Sequence, residues 1–432
     1  MSDALRIGIA GLGTVGAGVL RVLADNGDTI AARAGRPLEV VAVSARDRAR
    51  DRGVDLSGMR WHDDAVALAA DPEVDVVVET IGGTGGVAKT VCETALAAGK
   101  HVVTANKALL ALHGGALSAA AEKGGATLAY EAAVAGGIPV IKGLRDGLAA
   151  NRLDRVFGIL NGTCNFILSA MRDTGRDFDA VLAEAQRLGY AEADPGFDVD
   201  GIDAAHKLAL LAAMAFNGTV DFDDLHIEGI RHVSALDIAF ADELGYRIKL
   251  LGIARRTGEG VELRVHPCLV PPKAAIALVE GVNNAVVAQG APIGEVMMVG
   301  PGAGAGPTAS AVVADLVDIA RGWRVPMFGI PANGARRISP VPMAHHRGAY
   351  YVRLMVVDRP GVIADVTAAL RDEDISLESF LQHGRAPGDA VPVVMTTHDT
   401  DEASMRRGLD RIARQDAVLE PPRMIRIETL VD

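Results

Sequence analysis

The sequence predicts an α/β protein with a parallel β-sheet in its N-terminal region, an α+β region in the middle and a βαββαβ unit at its C-terminal end. Three observations support this fold class. Short apolar runs alternate with helical patterns over residues 1–130, this pattern changes near Arg152, and a new order of strands and helices begins near Tyr350. Alternating strands and helices are typical of parallel βαβ units, because a crossover helix connects parallel strands.

The first region is predicted to contain four strands and two helices. Each strand is a short run of apolar, often β-branched residues, as expected for strands buried in a parallel sheet. The strands are predicted at Leu5–Ala10, Glu39–Val43, Val74–Val78 and His101–Thr104, and the helices at Thr14–Ala24 and Gly86–Ala98.

The middle region mixes strands and helices less regularly. Its predicted strands are Arg155–Leu160, Ile248–Ala254 and Val261–Pro267, and its predicted helices are Phe178–Leu188 and Ile202–Phe216. The glycine-rich run Val299–Gly306 precedes a further helix, Thr308–Arg321. We expect this helix to pack back on the first region, because the two ends of an inserted domain usually lie close together.

The C-terminal region follows a segment, Arg336–Gly348, whose prolines and adjacent histidines indicate a linker. The order after it is strand, helix, strand, strand, helix, strand, which is the ferredoxin-like arrangement. The strands are predicted at Tyr350–Val357, Ile375–Leu381, Val391–Thr397 and Met424–Glu428, and the helices at Val362–Arg371 and Glu402–Arg414.

Composition excludes several classes of protein. The chain has 432 residues and a formal charge of 43 − 55 = −12, which argues against general attraction to nucleic acid or to an anionic membrane. Three scattered cysteines suit a reducing compartment, and no signal peptide or membrane helix is evident, so we expect a cytoplasmic protein. Only eight residues are lysine, so a lysine inside a motif stands out.

The first turn carries a motif for dinucleotide binding. Gly11, Gly13 and Gly16 form a G-x-G-x-x-G sequence with Thr14 and Val15, between a strand and a helix. The glycines permit a tight turn, the approach of a pyrophosphate and close packing of the helix, whose N-terminus attracts phosphate. The first region is therefore predicted to be a Rossmann-type domain.

The end of the second strand bears on the choice of dinucleotide. An NAD site usually has Asp or Glu there, whereas Ser44 and Arg46 suit the 2′-phosphate of NADP. The alternative is that Arg46 and Arg48 are surface charges at the start of a helix. NADP is favoured, and use of NAD stays open.

Two lysines lie at positions where the sequence predicts ligand binding or proton transfer. Lys107 follows the strand His101–Thr104, and ligands of open α/β sheets bind at the carboxyl ends of strands, so Lys107 is either a ligand-binding lysine or a surface residue. Asp203 and Lys207 share one face of the predicted helix Ile202–Phe216. They form either an ordinary helix ion pair or a proton donor held by a carboxylate.

Two acidic segments raise the question of a cation. The carboxylates between residues 192 and 203 do not follow the spacing of an EF-hand loop, so a calcium site is not expected. Glu131 precedes a glycine turn that leaves backbone carbonyls free, which suits a hard cation with oxygen ligands. An interdomain hinge explains that turn equally well.

Seven motifs occur in order along residues 1–340. They are GLGTVG (11–16), TANKALL (104–110), EAAVAGGIP (131–139), GILNGTCNFIL (158–168), LGYAEADP (188–195), DVDGIDAAHKL (198–208) and GPGAGAGPTASAVV (300–313). Together they resemble the homoserine dehydrogenase family. The segment Asp358–Val362, after the first strand of the C-terminal unit, resembles an ACT domain, a module that commonly binds amino acids.

With this resemblance, four segments are expected. They are a Rossmann domain at 1–135 with a return helix at about 305–335, a substrate-binding, catalytic and dimerisation domain at 136–304, a linker at 336–348 and an ACT regulatory domain at 349–432. The resemblance implies reversible NAD(P)H-dependent reduction of L-aspartate 4-semialdehyde to L-homoserine, in the biosynthesis of threonine, methionine and isoleucine.

The resemblance also assigns roles to residues. Lys207 corresponds to a proton donor, Lys107 to a lysine between nicotinamide and substrate, and Glu192 and Asp203 to substrate-binding carboxylates, with Gly189 beside substrate or cofactor. The cofactor-binding set comprises Gly11, Gly13, Thr14, Val15, Gly16, Arg46, Thr80, Lys107, Gly189, Glu192 and Gly306. The implied ligands of a sodium ion are Glu131 and the carbonyls of Val134, Gly136 and Ile138.

Alternatives remain at this point. A related dehydrogenase of another amino acid or aldehyde, or a non-catalytic amino-acid sensor, is compatible with the same architecture. Threonine is the expected effector of the ACT domain, although that domain can also serve assembly alone. A homodimer or homotetramer is expected, with no nucleic-acid or membrane partner. Because no kinase portion precedes residue 1, we expect no fusion with aspartate kinase.

Overall fold

A six-stranded sheet forms the N-terminal region of the computed structural model, which describes residues 3–383 and 388–430. The elements of this region are β1 (Leu5–Ala10), α1 (Thr14–Ala34), β2 (Leu38–Ser44), β3 (Arg60–His62), α2 (Ala65–Ala70), β4 (Val76–Glu79), α3 (Gly86–Ala97), β5 (His101–Thr104), α4 (Lys107–Lys123) and β6 (Leu128–Ala129).

The strands of this sheet follow the order β3-β2-β1-β4-β5-β6, and every neighbouring pair is parallel. The predicted Rossmann-type sheet is confirmed. The order reverses between β1 and β4, which creates a crevice at the carboxyl ends of these strands, where open α/β sheets bind ligands. Helix α1 continues past its predicted end at Ala24, because the chain kinks at Asn26 and resumes a helical course.

The middle region packs helices on a mixed sheet. Its elements are α5 (Val140–Lys142), β7 (Arg152–Ile159), α6 (Gly162–Thr174), α7 (Phe178–Arg187), α8 (Gly196–Val199), α9 (Ile202–Phe216), β8 (Gly218–Thr219), β9 (His226–Ile227), α10 (Ala235–Glu243), β10 (Arg247–Arg256), β11 (Val261–Val270), β12 (Asn283–Ala291) and β13 (Gly294–Pro301). Helix α9, almost entirely buried, packs against β7, β10 and β11.

Helix α11 (Ala305–Ala320) follows and packs against α1. The two helices approach most closely at Gly18, where a Cβ atom would lie 2.7 Å from the carbonyl oxygen of Ala305. Val19 of α1 and Val312 and Leu316 of α11 share one apolar core with the strands of the first sheet. The chain thus returns to the N-terminal region after its excursion through the middle region.

The C-terminal region has the predicted ferredoxin-like order. Its elements are β14 (Arg336–Arg337), β15 (Arg347–Val357), α12 (Val362–Arg371), β16 (Leu377–Gln382), β17 (Ala390–Thr397), β18 (Thr400–Asp401), α13 (Glu402–Ile412) and β19 (Arg423–Ile427). The order β19-β15-β17-β16 has antiparallel neighbours throughout. The segment 336–348, predicted as a linker, holds β14, a 3₁₀ turn at Met343–His345 and the first residues of β15.

The middle and C-terminal sheets are joined. Strand β19 pairs in parallel with β11, with Cys268 opposite Arg426 and Leu269 opposite Ile427. One sheet of eleven strands results, running from β13 to β16. Among the described residues, no helix combines the length and apolar character that crossing a membrane requires.

Candidate active site

The turn between β1 and α1 is shaped for close approach of a ligand. Gly11 has φ +105°, and a Cβ on Gly16 would lie 2.0 Å from the carbonyl oxygen of Gly11, so both positions require glycine. A Cβ on Gly13 would meet nothing within 4 Å. Gly13 caps α1 without a side-chain hydrogen bond, which leaves the first amides of the helix, including those of Thr14 and Val15, for an anion.

A cleft of about 940 Å³ opens beside this turn. Thr80, after β4, donates its hydroxyl hydrogen to the carbonyl of Gly11 at 2.7 Å and so ties the two strand ends together. Arg52 donates to the carbonyl of Leu12 at 3.1 Å and holds the loop after β2 against the turn. The residues that line the cleft include Gly11, Gly13, Ser44, Arg46, Arg50 and Thr80.

Lys107 is positioned by polar contacts at the ends of β4 and β5. Glu79, fully buried, accepts hydrogen bonds from two amides of the loop after β4 and from the Thr104 hydroxyl at 2.6 Å. Asn106 caps α4 by accepting from the amide of Leu109 at 3.1 Å. Lys107 is the first residue of α4, so its place at the carboxyl edge of the sheet follows from that cap.

One carboxylate bridges two lysines. Asp203 Oδ1 lies 3.2 Å from Lys107 Nζ, and Asp203 Oδ2 lies 2.8 Å from Lys207 Nζ. Lys207 also donates to the carbonyl of Leu160 at 2.7 Å. We refer to Lys107, Asp203 and Lys207 as the lysine–carboxylate cluster. Asp203 and Lys207 are buried, whereas the Lys107 side chain is 30% exposed and faces the accessible side of the cluster.

The cluster keeps Asp203 ionised. Burial by itself would raise the pKa of this carboxyl, but the charges of Lys207 and Lys107, with hydrogen bonds from Lys207 and Asn161, hold the pKa well below its ordinary value. Two ammonium groups lie within 3.2 Å of the oxygens of this carboxylate. Such a site favours a group that becomes negative during a reaction.

Two further polar residues, Asn161 and Asp198, lie next to the lysine–carboxylate cluster. Asn161 Nδ2 donates to Asp203 Oδ2 at 2.8 Å and to Asp198 Oδ1 at 2.7 Å. The pKa of Asp198 is raised, by burial first and then by the charge of Asp203. The sequence motifs did not assign Asn161 a role. Its position as the N-cap of α6, where its Oδ1 accepts from the amide of Cys164, is the available sequence signal.

Three other predicted residues lie apart from the cluster. Glu192 is exposed in the loop after α7, and within the described residues its side chain has no hydrogen bond or ion pair with the cluster. Gly189, with φ +77°, precedes it, and Gly306 lies in the first turn of α11. A Cβ on either glycine would meet nothing within 4 Å, so both border open space.

Glu131 lies in a buried, negatively charged pocket. Its carboxylate accepts from the backbone amides of Ile141 and Lys142, each at 2.8 Å. Burial, and then the charge of Asp315, raise the pKa of Glu131 to about 7. Lys142 Nζ lies 3.2 Å from Asp315 and 2.6 Å from Asp318, and Arg321 lies 3.6 Å from Asp318.

The turn after Glu131 supplies oxygen atoms. Ala135 and Gly136 both have φ +55°, a left-handed pair that turns the chain sharply. Within residues 3–383 and 388–430, the carbonyls of Val134 and Gly136 accept no hydrogen bond, and that of Ile138 accepts one from Val140 at 2.7 Å. Free carbonyls beside the buried carboxyl groups of Glu131 and Asp315 fit a hard monovalent cation.

Comparison with known proteins gives a consistent result. A family model described as "Homoserine dehydrogenase" matches residues 139–317, one described as "Homoserine dehydrogenase, NAD binding domain" matches 11–131, and the ACT domain model matches 350–416. A homoserine dehydrogenase of Pseudomonas aeruginosa is 47% identical over 99% of both chains, and one of Neisseria gonorrhoeae is 45% identical over 99% of both.

A solved structure shares the whole architecture. The crystal structure of a homoserine dehydrogenase from Thiobacillus denitrificans superposes with a TM-score of 0.94 and 47% identity, covering 99% of each chain. The likeness covers all three regions of the fold, including the C-terminal region. It therefore bears on the order of the domains as well as on the catalytic part.

Proposed function

The chain belongs to the homoserine dehydrogenase family, and on that premise we propose that the lysine–carboxylate cluster is its catalytic centre. The family is one of NAD(P)-dependent oxidoreductases that interconvert L-aspartate 4-semialdehyde and L-homoserine. The likeness over the full length favours this function over a dehydrogenase for another substrate and over a non-catalytic sensor.

The contact of one buried carboxylate with two ammonium groups carries the proposal. When bound, a reduced nicotinamide would supply the hydride that the aldehyde carbon accepts, and negative charge would then develop on the aldehyde oxygen. Lys207 stabilises that charge and donates the proton that completes the alcohol, while Asp203 holds Lys207 in place. Lys107, on the accessible side, contacts the substrate.

The charged groups at the α-carbon end of the substrate require protein groups of the opposite charge. We assign its α-ammonium group to Asp203 and Glu192, and its carboxylate to Lys107 or to backbone amides. Glu192 is exposed in the loop after α7, so its part in binding depends on that loop meeting the substrate.

Replacement of the proposed donor tests the assignment. Lys207→Ala should lower kcat by about two to four orders of magnitude, because general acid catalysis contributes about that much. The affinity for NADPH, measured by fluorescence titration, should stay near the wild-type value, since Lys207 lies outside the dinucleotide cleft. Normal turnover by a folded Lys207→Ala enzyme would exclude Lys207 as the donor.

The cleft beside the first turn is the proposed cofactor site, and NADP(H) is the proposed preferred cofactor. Ser44, Arg46 and Arg50 line it where the adenosine ribose of a dinucleotide lies in this fold. Arg46→Ala should raise the KM for NADPH and leave that for NADH nearly unchanged. The proposed contacts are Gly11, Gly13, Thr14, Val15, Gly16, Arg46, Thr80, Lys107, Gly189, Glu192 and Gly306.

A sodium ion is proposed at the Glu131 turn, with Glu131 and the carbonyls of Val134, Gly136 and Ile138 as its ligands. The buried negative charge and the free carbonyls support this assignment. The ion would serve to fix the chain where it passes from the first sheet to the middle region. Its role is structural in this proposal, and no step of the reaction depends on it.

The C-terminal region is proposed to regulate the enzyme in response to threonine and to promote a homodimer or homotetramer in the cytoplasm. Strand β16 lies at the edge of the long sheet, and Phe380 on it is 40% exposed, which suits pairing with a second copy. The test is activity against threonine concentration, with NADH and NADPH in parallel, beside sedimentation analysis of the oligomer. Activity independent of threonine would exclude this effector.

A further inference from the structure

Three aromatic rings form a stack next to the lysine–carboxylate cluster. Phe197 of α8 lies 5.5 Å from His206 of α9, with ring planes inclined by 30°. His206 lies 4.3 Å from Phe222, which follows β8, with planes inclined by 18°. We call Phe197, His206 and Phe222 the aromatic stack.

The exposed end of the stack meets a lysine. Phe197 is 45% exposed, and Lys107 Nζ lies 5.7 Å from the centre of its ring. That distance is within the range of a cation–π contact. Lys107 therefore has Asp203 as one neighbour and the face of Phe197 as another.

The middle of the stack is uncharged near neutral pH. Burial, and then the positive charge of Lys107, lower the pKa of His206 to about 4. A neutral imidazole stacks between two phenyl rings without repelling the nearby ammonium group. Phe222, partly buried against the main core, supports His206 from the far side.

We infer that Phe197 is a positioning residue, which holds the Lys107 ammonium group beside Asp203 through a cation–π contact that His206 and Phe222 support. A lysine side chain has four rotatable bonds, and Lys107 is only partly buried, so Asp203 alone leaves it considerable freedom. The inference rests on the proposed role of Lys107 in contacting the substrate.

The test compares residues that keep or lose the π face. Phe197→Leu keeps an apolar side chain without a ring, and kcat/KM for aspartate semialdehyde should fall about threefold to tenfold, mainly through KM. Phe197→Trp keeps the π face and should retain most of the wild-type value. Trp323→Leu is the matched control, since Trp323 is 50% exposed and contacts Arg321 outside the site.

A double-mutant cycle distinguishes positioning from a general structural effect. If Phe197 acts through Lys107, then Phe197→Leu should have little further effect on kcat/KM in a Lys107→Ala background. Full additivity, or equal losses in Phe197→Leu and Phe197→Trp, would overturn the inference. An unimpaired Lys107→Ala enzyme would instead show that the proposed role of Lys107 is wrong.

Discussion

Asp203 decides how the two lysines are held at the proposed catalytic centre. A buried carboxyl without charged partners would tend to stay protonated, and two ammonium groups without a carboxylate between them would repel each other. Each charge in the cluster therefore depends on the others. Asn161 adds a neutral donor to the oxygen that also accepts from Lys207, which fixes the orientation of the carboxylate.

Replacing the charge of Asp203 while keeping its shape should impair the reaction. In Asp203→Asn the two lysines lose their common counter-ion, so we expect kcat/KM to fall about a hundredfold or more. Steady-state kinetics measure the loss of activity, and a melting curve measures any change in stability. Asp173→Asn, which changes a carboxylate 61% exposed and paired with Arg172, is the control. Activity near wild type in Asp203→Asn would contradict the bridging role.

The buried Glu131 predicts a dependence of stability on pH and sodium. Its folded pKa, about 7, is above the ordinary value of 4.5, so the folded state binds more protons between these values. The stabilisation that this group contributes is fully present below pH 4.5 and is lost as the pH rises through 7. Without sodium, the free energy of unfolding should therefore fall across that window.

Sodium should offset this loss, because a cation favours the ionised form. We expect sodium chloride to raise the melting temperature more at pH 7.5 than at pH 5, relative to choline chloride at equal ionic strength. Glu131→Gln should remove both the pH dependence from this group and the sodium effect. A sodium effect of equal size at both pH values, or one that persists in Glu131→Gln, would contradict the assignment.

The proposed site is predictable from sequence only where its contacts are local. The pairing of Asp203 with Lys207 follows from helix periodicity, because residues four apart share a face. The contact of Lys107 with Asp203 joins α4 to α9 and depends on how the two helices pack. The position of Phe197 depends in the same way on tertiary packing, so no local pattern predicts it.

At the level of elements, the contact of α1 with α11 fixes the return of the chain to the first sheet. Gly18→Ala should destabilise the protein by about 1–3 kcal/mol, because the new methyl group would meet the backbone carbonyl of Ala305. Gly27→Ala in the same helix is the control. Its Cβ would meet nothing within 4 Å, so it should be neutral or stabilising by about 0.5–1 kcal/mol.

Denaturant unfolding followed by circular dichroism measures both variants. Dinucleotide binding should weaken in Gly18→Ala as well, since Gly18 lies only two residues beyond the last glycine of the glycine-rich motif. If the two variants are equally stable, the close approach of α1 and α11 at Gly18 does not contribute to the stability of the protein.

Several elements with strong apolar patterns were predicted, whereas others, such as α2 and α10, were not. Strands β1 and β5 and helices α9 and α12 have their predicted bounds. Helix α1 was predicted to end at Ala24, yet it continues to Ala34 after a kink at Asn26. The hairpin of β12 and β13 was not predicted, since Gly290, Pro292 and Gly294 interrupt the apolar alternation around its tight turn.

At the scale of the whole molecule, buried ion pairs accompany the joining of the C-terminal and middle regions in the long sheet. Arg426 of β19 is 1% exposed and contacts Glu402 of its own region and Glu228 of the middle region, the latter at 2.9 and 3.0 Å. Arg264 of β11 pairs with Glu428 across the same seam. Only two residue pairs of β11 and β19 are in register, too short a pairing for sequence patterns to indicate.

A short segment connects this seam to the residues just before α9. Glu228 donates its amide hydrogen to the Val265 carbonyl at 2.7 Å, and Ile230 donates to the Val199 carbonyl at 2.8 Å. Arg231 pairs with Asp200, three residues before Asp203. Residues 228–231, through their hydrogen bonds and ion pair with Val199 and Asp200, therefore connect Arg426 to the segment just before α9.

Glu228→Gln tests this connection. The amide keeps one hydrogen bond but removes the charge opposite a buried arginine, which should cost about 1–3 kcal/mol of stability. We expect faster amide hydrogen exchange at residues 226–231 and in the first turn of α9, and a weaker response of activity to threonine. Arg371→Gln, in a pair whose side chains are 75% and 48% exposed, should change neither. Any change transmitted between the two regions must pass through the segment that Glu228 anchors. If amide exchange at α9 and the threonine response are both unchanged in Glu228→Gln, the seam holds the two regions together without coupling them.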